Sequence, residues 1–127
     1  MAVNIAKVLD GVTYLPDRSP GMSLDGGAAD AFAELSKYRD GAIYVGHYSG
    51  SSEWERHTNG DEIVMVLSGS TTVVTKVDGE IRRTELKADD LLVVPRGTWH
   101  HFENSTQLKV MTVTPQPTDH QLDEPDD

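Results

Sequence analysis

The chain has 127 residues, enough for one folded domain with a real core but not for a second. Its 21 acidic against 11 basic residues give a formal net charge of −10, which argues against a basic groove for nucleic acid and against attraction to an anionic membrane surface. Cysteine is absent, so disulfides, thiolate metal sites and a cysteine nucleophile are excluded.

The opening MAVNIAKVLDG lacks the charged and then apolar order of a signal peptide. No apolar run approaches the ~20 residues that span a bilayer, so a cytoplasmic protein is expected. Residues 10–22 (DGVTYLPDRSPGM) are rich in Pro, Gly and Asp and read as an irregular arm or edge strand. Over 23–38, Ala28, Ala31, Phe32 and Leu35 recur at helical spacing behind Ser23 or Asp25 as a cap, which predicts a short helix packed outside the main body.

From residue 41 the pattern changes to short runs rich in β-branched and aromatic residues, at 42–48, 63–69, 71–77, 80–86, 91–95, 99–104 and 108–114. Asp78-Gly79 between two of them tolerates the positive φ of a tight hairpin turn. Many short strands with little helix predict an all-β sandwich or barrel, and closure removes exposed edges. The expected organisation is an arm with a short helix over 1–40, a β-barrel over 41–115 and a tail over 116–127. That tail holds five acids and no Lys or Arg after residue 118, and reads as solvated and disordered.

Five histidines are present, at 47, 57, 100, 101 and 120, and imidazole is the commonest metal ligand. On an extended segment Glu53, Glu55 and His57 share one face, because side chains alternate. Thr58-Asn59-Gly60-Asp61 should reverse the chain, so that Glu62 starts the next strand pointing back at His57. Farther on, Pro95 and Gly97 punctuate a turn and His100 follows. His100 and His101 are adjacent and face opposite sides of a strand, so only one can enter a given site.

These two stretches resemble the paired motifs of the cupin superfamily, written G-x5-H-x-H-x4-E-x6-G and G-x5-P-x-G-x2-H-x3-N. The spacing matches at His57-x4-Glu62-x6-Gly69 and at Pro95-x-Gly97-x2-His100-x3-Asn104. The resemblance selects His100 over His101 and implies a cupin-type jelly-roll barrel. Three positions depart from it. Glu55 stands where the first histidine of H-x-H belongs, the leading Gly of the first motif lies one residue late at Gly50, and Asp89 replaces the leading Gly of the second.

The resemblance implies a divalent metal ion held by His57, Glu62 and His100, with Glu55 in the fourth position. Glu55 has a second reading, an ion pair with Arg56 or Arg96. A set of two histidines and two carboxylates is harder than three histidines and one glutamate, which tilts the choice toward iron or manganese, with zinc and nickel still open. It also implies a small-molecule substrate, a reaction of dioxygenase, isomerase or lyase type, and a homodimer. The alternative is a non-catalytic cupin that holds a small molecule or metal, or no metal at all. Trp54 and Trp99 either line the pocket or pack the core, and His47, His101 and His120 read as structural or surface residues.

Overall fold

The computed structural model describes residues 2–126. Its elements are helix α1 (Ile5–Asp10), β1 (Leu15–Arg18), the single helical turn α2 (Met22–Asp25), a 3₁₀ turn (Ala29–Ala31), β2 (Phe32–Tyr38), β3 (Gly41–Gly50), β4 (Trp54–His57), β5 (Glu62–Val77), β6 (Glu80–Lys87), β7 (Leu91–Val94), β8 (Trp99–Pro115) and β9 (Thr118–Gln121). The all-β reading with a short N-terminal helix therefore holds. None of the helices is long and apolar enough to cross a membrane.

Two long strands organise the barrel. The runs expected at 63–69 and 71–77 are one strand, β5, and those at 99–104 and 108–114 are one strand, β8. The two pair antiparallel from Ile63↔Val113 to Lys76↔Trp99, with register shifts around residues 66–72. The nine strands of the described residues are hydrogen-bonded into one continuous sheet that closes into two facing layers, the two sheets of the barrel, and the halves of β5 and β8 fall in different layers. In the first, β2 pairs β3, β3 pairs the C-terminal half of β8, that half pairs the start of β5, and β5 pairs β7. In the second, β6 pairs the end of β5, β5 pairs the start of β8, and β8 joins β4 and then β9.

The crossing between sheets needs close backbone approach. Gly69 has φ +74, and a Cβ there would stand 2.2 Å from the Gln107 carbonyl oxygen. Opposite it, Asn104 and Gln107 also take positive φ, at 52° and 43°. Between the sheets lies a core of Tyr48, Val64, Val66, Val73, Leu86, Val94, Phe102, Leu108 and Val110. A second cluster packs Trp54, Val74 and Trp99 with Ile81, so both tryptophans are core residues.

Three expectations are corrected. The helix over 23–38 does not form, because Gly26 turns left-handed at φ +84 and Asp25 spends its side chain on the Gly27 N–H. The chain runs instead into β2, where a register shift between Glu34 and Ser36 leaves Leu35 unpaired. That bulge gives Phe32 and Leu35 their helix-like separation of three. The N-terminal helix lies earlier, at α1, where the Asn4 side chain accepts from the Lys7 N–H.

The acidic tail is not loose. Residues 118–121 are β9, in register with β4 from Trp54↔Gln121 to His57↔Thr118. Cations hold it: Arg56 lies 2.8 Å from Asp119, and Lys76 pairs Glu124 at 2.9 Å and also reaches the Pro125 carbonyl. Finally, β1 and β2 precede residue 41 and β9 comes after 115, so the sheet extends beyond the expected barrel limits on both sides.

Replacing Gly69 by Ala should lower unfolding stability by about 2 kcal/mol or more, since both the positive φ and the carbonyl contact oppose a side chain. An unchanged urea midpoint would show that β5 bends without this approach.

Candidate metal centre

β4 delivers two of the expected residues and the other two come from the starts of β5 and β8. Glu55 and His57 are two apart on β4 and so share a face. Glu55 is directly opposite His100 in the β4–β8 pairing. Glu62 opens β5 after the 58–61 turn. Two hydrogen bonds tie that turn to the loop before β8: Gly97 N–H to the His57 carbonyl at 2.8 Å, and Arg96 N–H to Asp61 Oδ1 at 2.8 Å.

The four side chains converge. Their ligand atoms all lie within 4.8 Å of one another. His57 Nε2 is 3.3 Å from Glu62 Oε2 and 3.7 Å from Glu55 Oε1. His100 Nε2 is 3.0 Å from Glu62 Oε1 and 3.4 Å from Glu55 Oε1. Donors bound at about 2.1 Å to one ion stand roughly 3–3.4 Å apart when adjacent and just over 4 Å when opposite, so the cluster has the size of a coordination sphere. His57, Glu62 and His100 are buried, and Glu55 is the member with some access.

Hydrogen bonds on the far side orient both rings. His100 Nδ1 lies 3.0 Å from the Thr98 carbonyl, which can only accept, so Nδ1 carries the proton and Nε2 faces the carboxylates. Thr118 donates to Gln116 Oε1 at 3.1 Å and lies 2.9 Å from His57 Nδ1, from which it therefore accepts. His57 Nε2 is left buried with no hydrogen-bond partner. An orphaned imidazole nitrogen aimed between two carboxylates is what a metal ligand looks like without its ion. Glu62 is braced in turn by the Thr114 hydroxyl, which donates to Oε2 at 2.6 Å.

Without an ion, protons fill the same role. Burial pulls both imidazoles down, but the facing Glu55 and Glu62 carboxylates outweigh it and hold His57 at about 9 and His100 at about 10. Burial likewise works to raise Glu55 and Glu62, and the facing His100 and His57 rings win, keeping both below the usual carboxylate range.

The cluster sits in the wall of a cavity of about 360 Å³ between the two sheets, which Tyr44, Tyr48, Thr112 and Thr114 line from one side and Phe102, Thr118 and His120 from the other. Burial pushes the Tyr48 phenol up to about 12, so it stays a neutral hydroxyl. Of the remaining histidines, the His47 ring lies tilted against Tyr14 at 4.6 Å between centroids and the His101 ring edge-on to Trp54 at 4.3 Å, and neither lines this cavity. His120 instead lines the cavity, 3.4 Å from the fully buried Glu53. Arg56 turns away from Glu55 to Asp119 and lies over the Trp99 ring.

Thr118, Gln116 and Arg18 carry no signal in the sequence, and His120 reads there as a structural or surface residue. They reach the site through long-range pairing of β9 and β1, which local spacing does not encode.

The sequence matches the Cupin domain family over residues 45–114. It is 30% identical over 66 residues to an uncharacterized protein of Bacillus subtilis, YdbB, a match that covers 52% of this chain and 56% of that one. The chain thus spans little more than half the length of that relative. Among solved structures, it superposes on a cupin-2 domain protein of Shewanella frigidimarina with TM-score 0.57 at 21% identity, over 67% of this chain and 79% of that one. Oxalate decarboxylase of Bacillus subtilis matches with TM-score 0.58 at 18% identity, over 70% of this chain and 26% of that one. Likeness at this identity establishes the barrel alone.

In chelator-treated protein the raised imidazoles should make stability fall as pH rises. The folded state then binds more protons than the unfolded state, from the unfolded value of 6.5 up through about 9 and 10. The depressed carboxylates contribute in the opposite sense, with stability present above 4.5 and lost as pH falls toward their lower folded values. A thermal midpoint that does not decline between pH 6.5 and 10 would contradict the pairing.

Proposed function

The chain belongs to the cupin domain family, and from that membership we propose that it is a divalent-metal cupin acting on a small organic molecule held between its two sheets. The observation that carries this reading is the orphaned His57 Nε2, buried and turned toward two carboxylates that already gather a second imidazole. Glu55, His57, Glu62 and His100 would hold the ion. Their mixed nitrogen and carboxylate set favours iron(II) or manganese, with zinc or nickel as substitutes.

A bound ion supplies a Lewis acid at the cavity wall. The chain's own residues do the rest. The Thr98 carbonyl and the Thr118 hydroxyl fix the two rings so that each presents Nε2. Thr114 holds Glu62 in place. Glu55, the most accessible of the four, turns Oε1 to both imidazoles, which leaves Oε2 to take or return a proton at the cavity surface. Phe32, Phe102 and Val110 keep the cavity wall apolar and limit water.

A second reading is supported by the same cluster. Two imidazoliums against two carboxylates leave it electrically balanced with no ion, which suits a metal-free module that only binds a small molecule. Metal analysis separates the two. Protein purified without a histidine tag should carry close to one ion per chain. His57→Ala or His100→Ala should abolish it, and Thr118→Val should weaken it about tenfold by freeing the His57 ring. Protein that stays metal-free from aerobic and anaerobic preparations, and takes up no added Fe(II), Mn(II), Zn(II) or Ni(II), overturns the metal reading.

We also infer a homodimer. On the outer face of the first sheet Leu91, Val93, Ile63, Met65, Met111 and Val113 are cross-strand neighbours, and Leu91 and Val93 are half exposed. An apolar patch of this kind is suited to a second copy. Light scattering should give twice the chain mass, and Val93→Glu should shift it to the monomer. A wild-type monomer at micromolar concentration refutes this.

A further inference from the structure

Arg18 is the one Lys or Arg that lines the cavity among the described residues, and it is only 8% exposed. β1 brings it there by parallel pairing with β3, Arg18 opposite Gly50, where a Cβ would strike the Arg18 carbonyl at 2.1 Å. The guanidinium lies over the Tyr48 ring at 4.5 Å and beside Phe32 at 5.0 Å. Its Nη2 donates to Ser23 at 2.9 Å.

The guanidinium is only partly satisfied inside the protein, by a loose buried ion pair with Glu53. Glu53, the nearest carboxylate, stands 4.0 Å away, beyond hydrogen-bond distance, and Arg18 Nε is buried with no acceptor. Of the two Glu53 oxygens, Oε1 accepts the Gly21 N–H at 3.1 Å, while Oε2 has no hydrogen bond and lies 3.4 Å from His120 Nδ1. A guanidinium held flat by two rings, with an unmet N–H, is pre-organised for a planar anion. Single charge fits better than double, because Glu55 and Glu62 line the same space. The apolar wall and the volume of about 360 Å³, at the small end for ligand cavities, suit a short hydrocarbon body.

We propose that the cavity takes a small monocarboxylic acid, its carboxylate held by Arg18 and its remaining functional group turned toward Glu55, His57, Glu62 and His100. The inference deepens the function proposed above and rests on it for that second end only.

The test is an NMR titration of the full chain, as purified and after chelation, that follows the Arg18 Nε–H resonance. The probes are butyrate and benzoate, each against its neutral amide, and inorganic phosphate. Each carboxylate should bind at least tenfold more tightly than its amide and shift the Nε–H, with phosphate far weaker. Arg18→Lys, which keeps the charge and loses the fork, should cost at least tenfold. The carboxylate-to-amide contrast in the unaltered chain needs no variant to fold. Amides that bind equally well, phosphate that matches the carboxylates, or an indifferent Arg18→Lys overturns the proposal. Carboxylate binding confined to metal-loaded protein and insensitive to Arg18 overturns it while leaving the metal reading intact. Arg18-dependent binding in a chain that never takes up metal supports it and overturns the metal reading instead.

Discussion

Two carboxylates and two imidazoles brought out of water into one small volume form the constraint on which the rest of this barrel depends. Each group alone would be costly to bury in charged form, and the cost is tolerable only because the charges face one another. Distances of 3.0–3.7 Å between the imidazole nitrogens and the carboxylate oxygens leave two ways to satisfy them. Either a proton sits on each Nε2, or one cation sits among all four. Both states are near neutral overall, and they exchange protons for metal, so ion uptake at neutral pH is coupled to proton release.

The backbone makes this gathering possible by spending two long strands on both sheets. Were β5 and β8 confined to one sheet each, Glu62 and His100 would have no reason to meet. The bend at Gly69 against Gln107 passes β5 from one sheet to the other, and the positive φ at Asn104 and Gln107 passes β8. Gly69 closes the first motif and Asn104 the second. The ends of both motifs therefore serve the crossing, while His57, Glu62 and His100 serve the site. The loops are fastened to each other by the Gly97–His57 and Arg96–Asp61 hydrogen bonds, which fixes β4 against the start of β8.

Much of this could be read from the residues. The Asp78-Gly79 hairpin with both residues at positive φ and the all-β class follow from local rules of alternation and turn chemistry, whereas the four members of the cluster are what the resemblance to the cupin motifs implies. What escaped was set by distant partners. Phe32 and Leu35 read as helical because a bulge in β2 mimics a period of three. The acidic stretch after 118 read as solvated because composition does not reveal that Arg56 and Lys76 wait for it on β4 and β5. Glu55 had two readings, and the pairing with His100 rather than with Arg56 or Arg96 became visible only when β4 was placed beside β8.

The match to the family covers 45–114, which contains all four members of the cluster. It contains neither Arg18 nor Thr118, Gln116 and His120. Those come from β1 and from the segment through β9, strands that attach to the barrel by edge pairing at Gly50 and along β4. The division has a physical meaning. The central segment supplies a charge cluster that any divalent ion or pair of protons can satisfy, so it says little about what is bound. The added strands bring a cation, a ring-orienting hydroxyl and a histidine to the cavity wall, and these set the charge and shape that a ligand must match. The features that would select the ligand proposed above therefore lie mainly at the edges of the barrel, outside the stretch that matches the family.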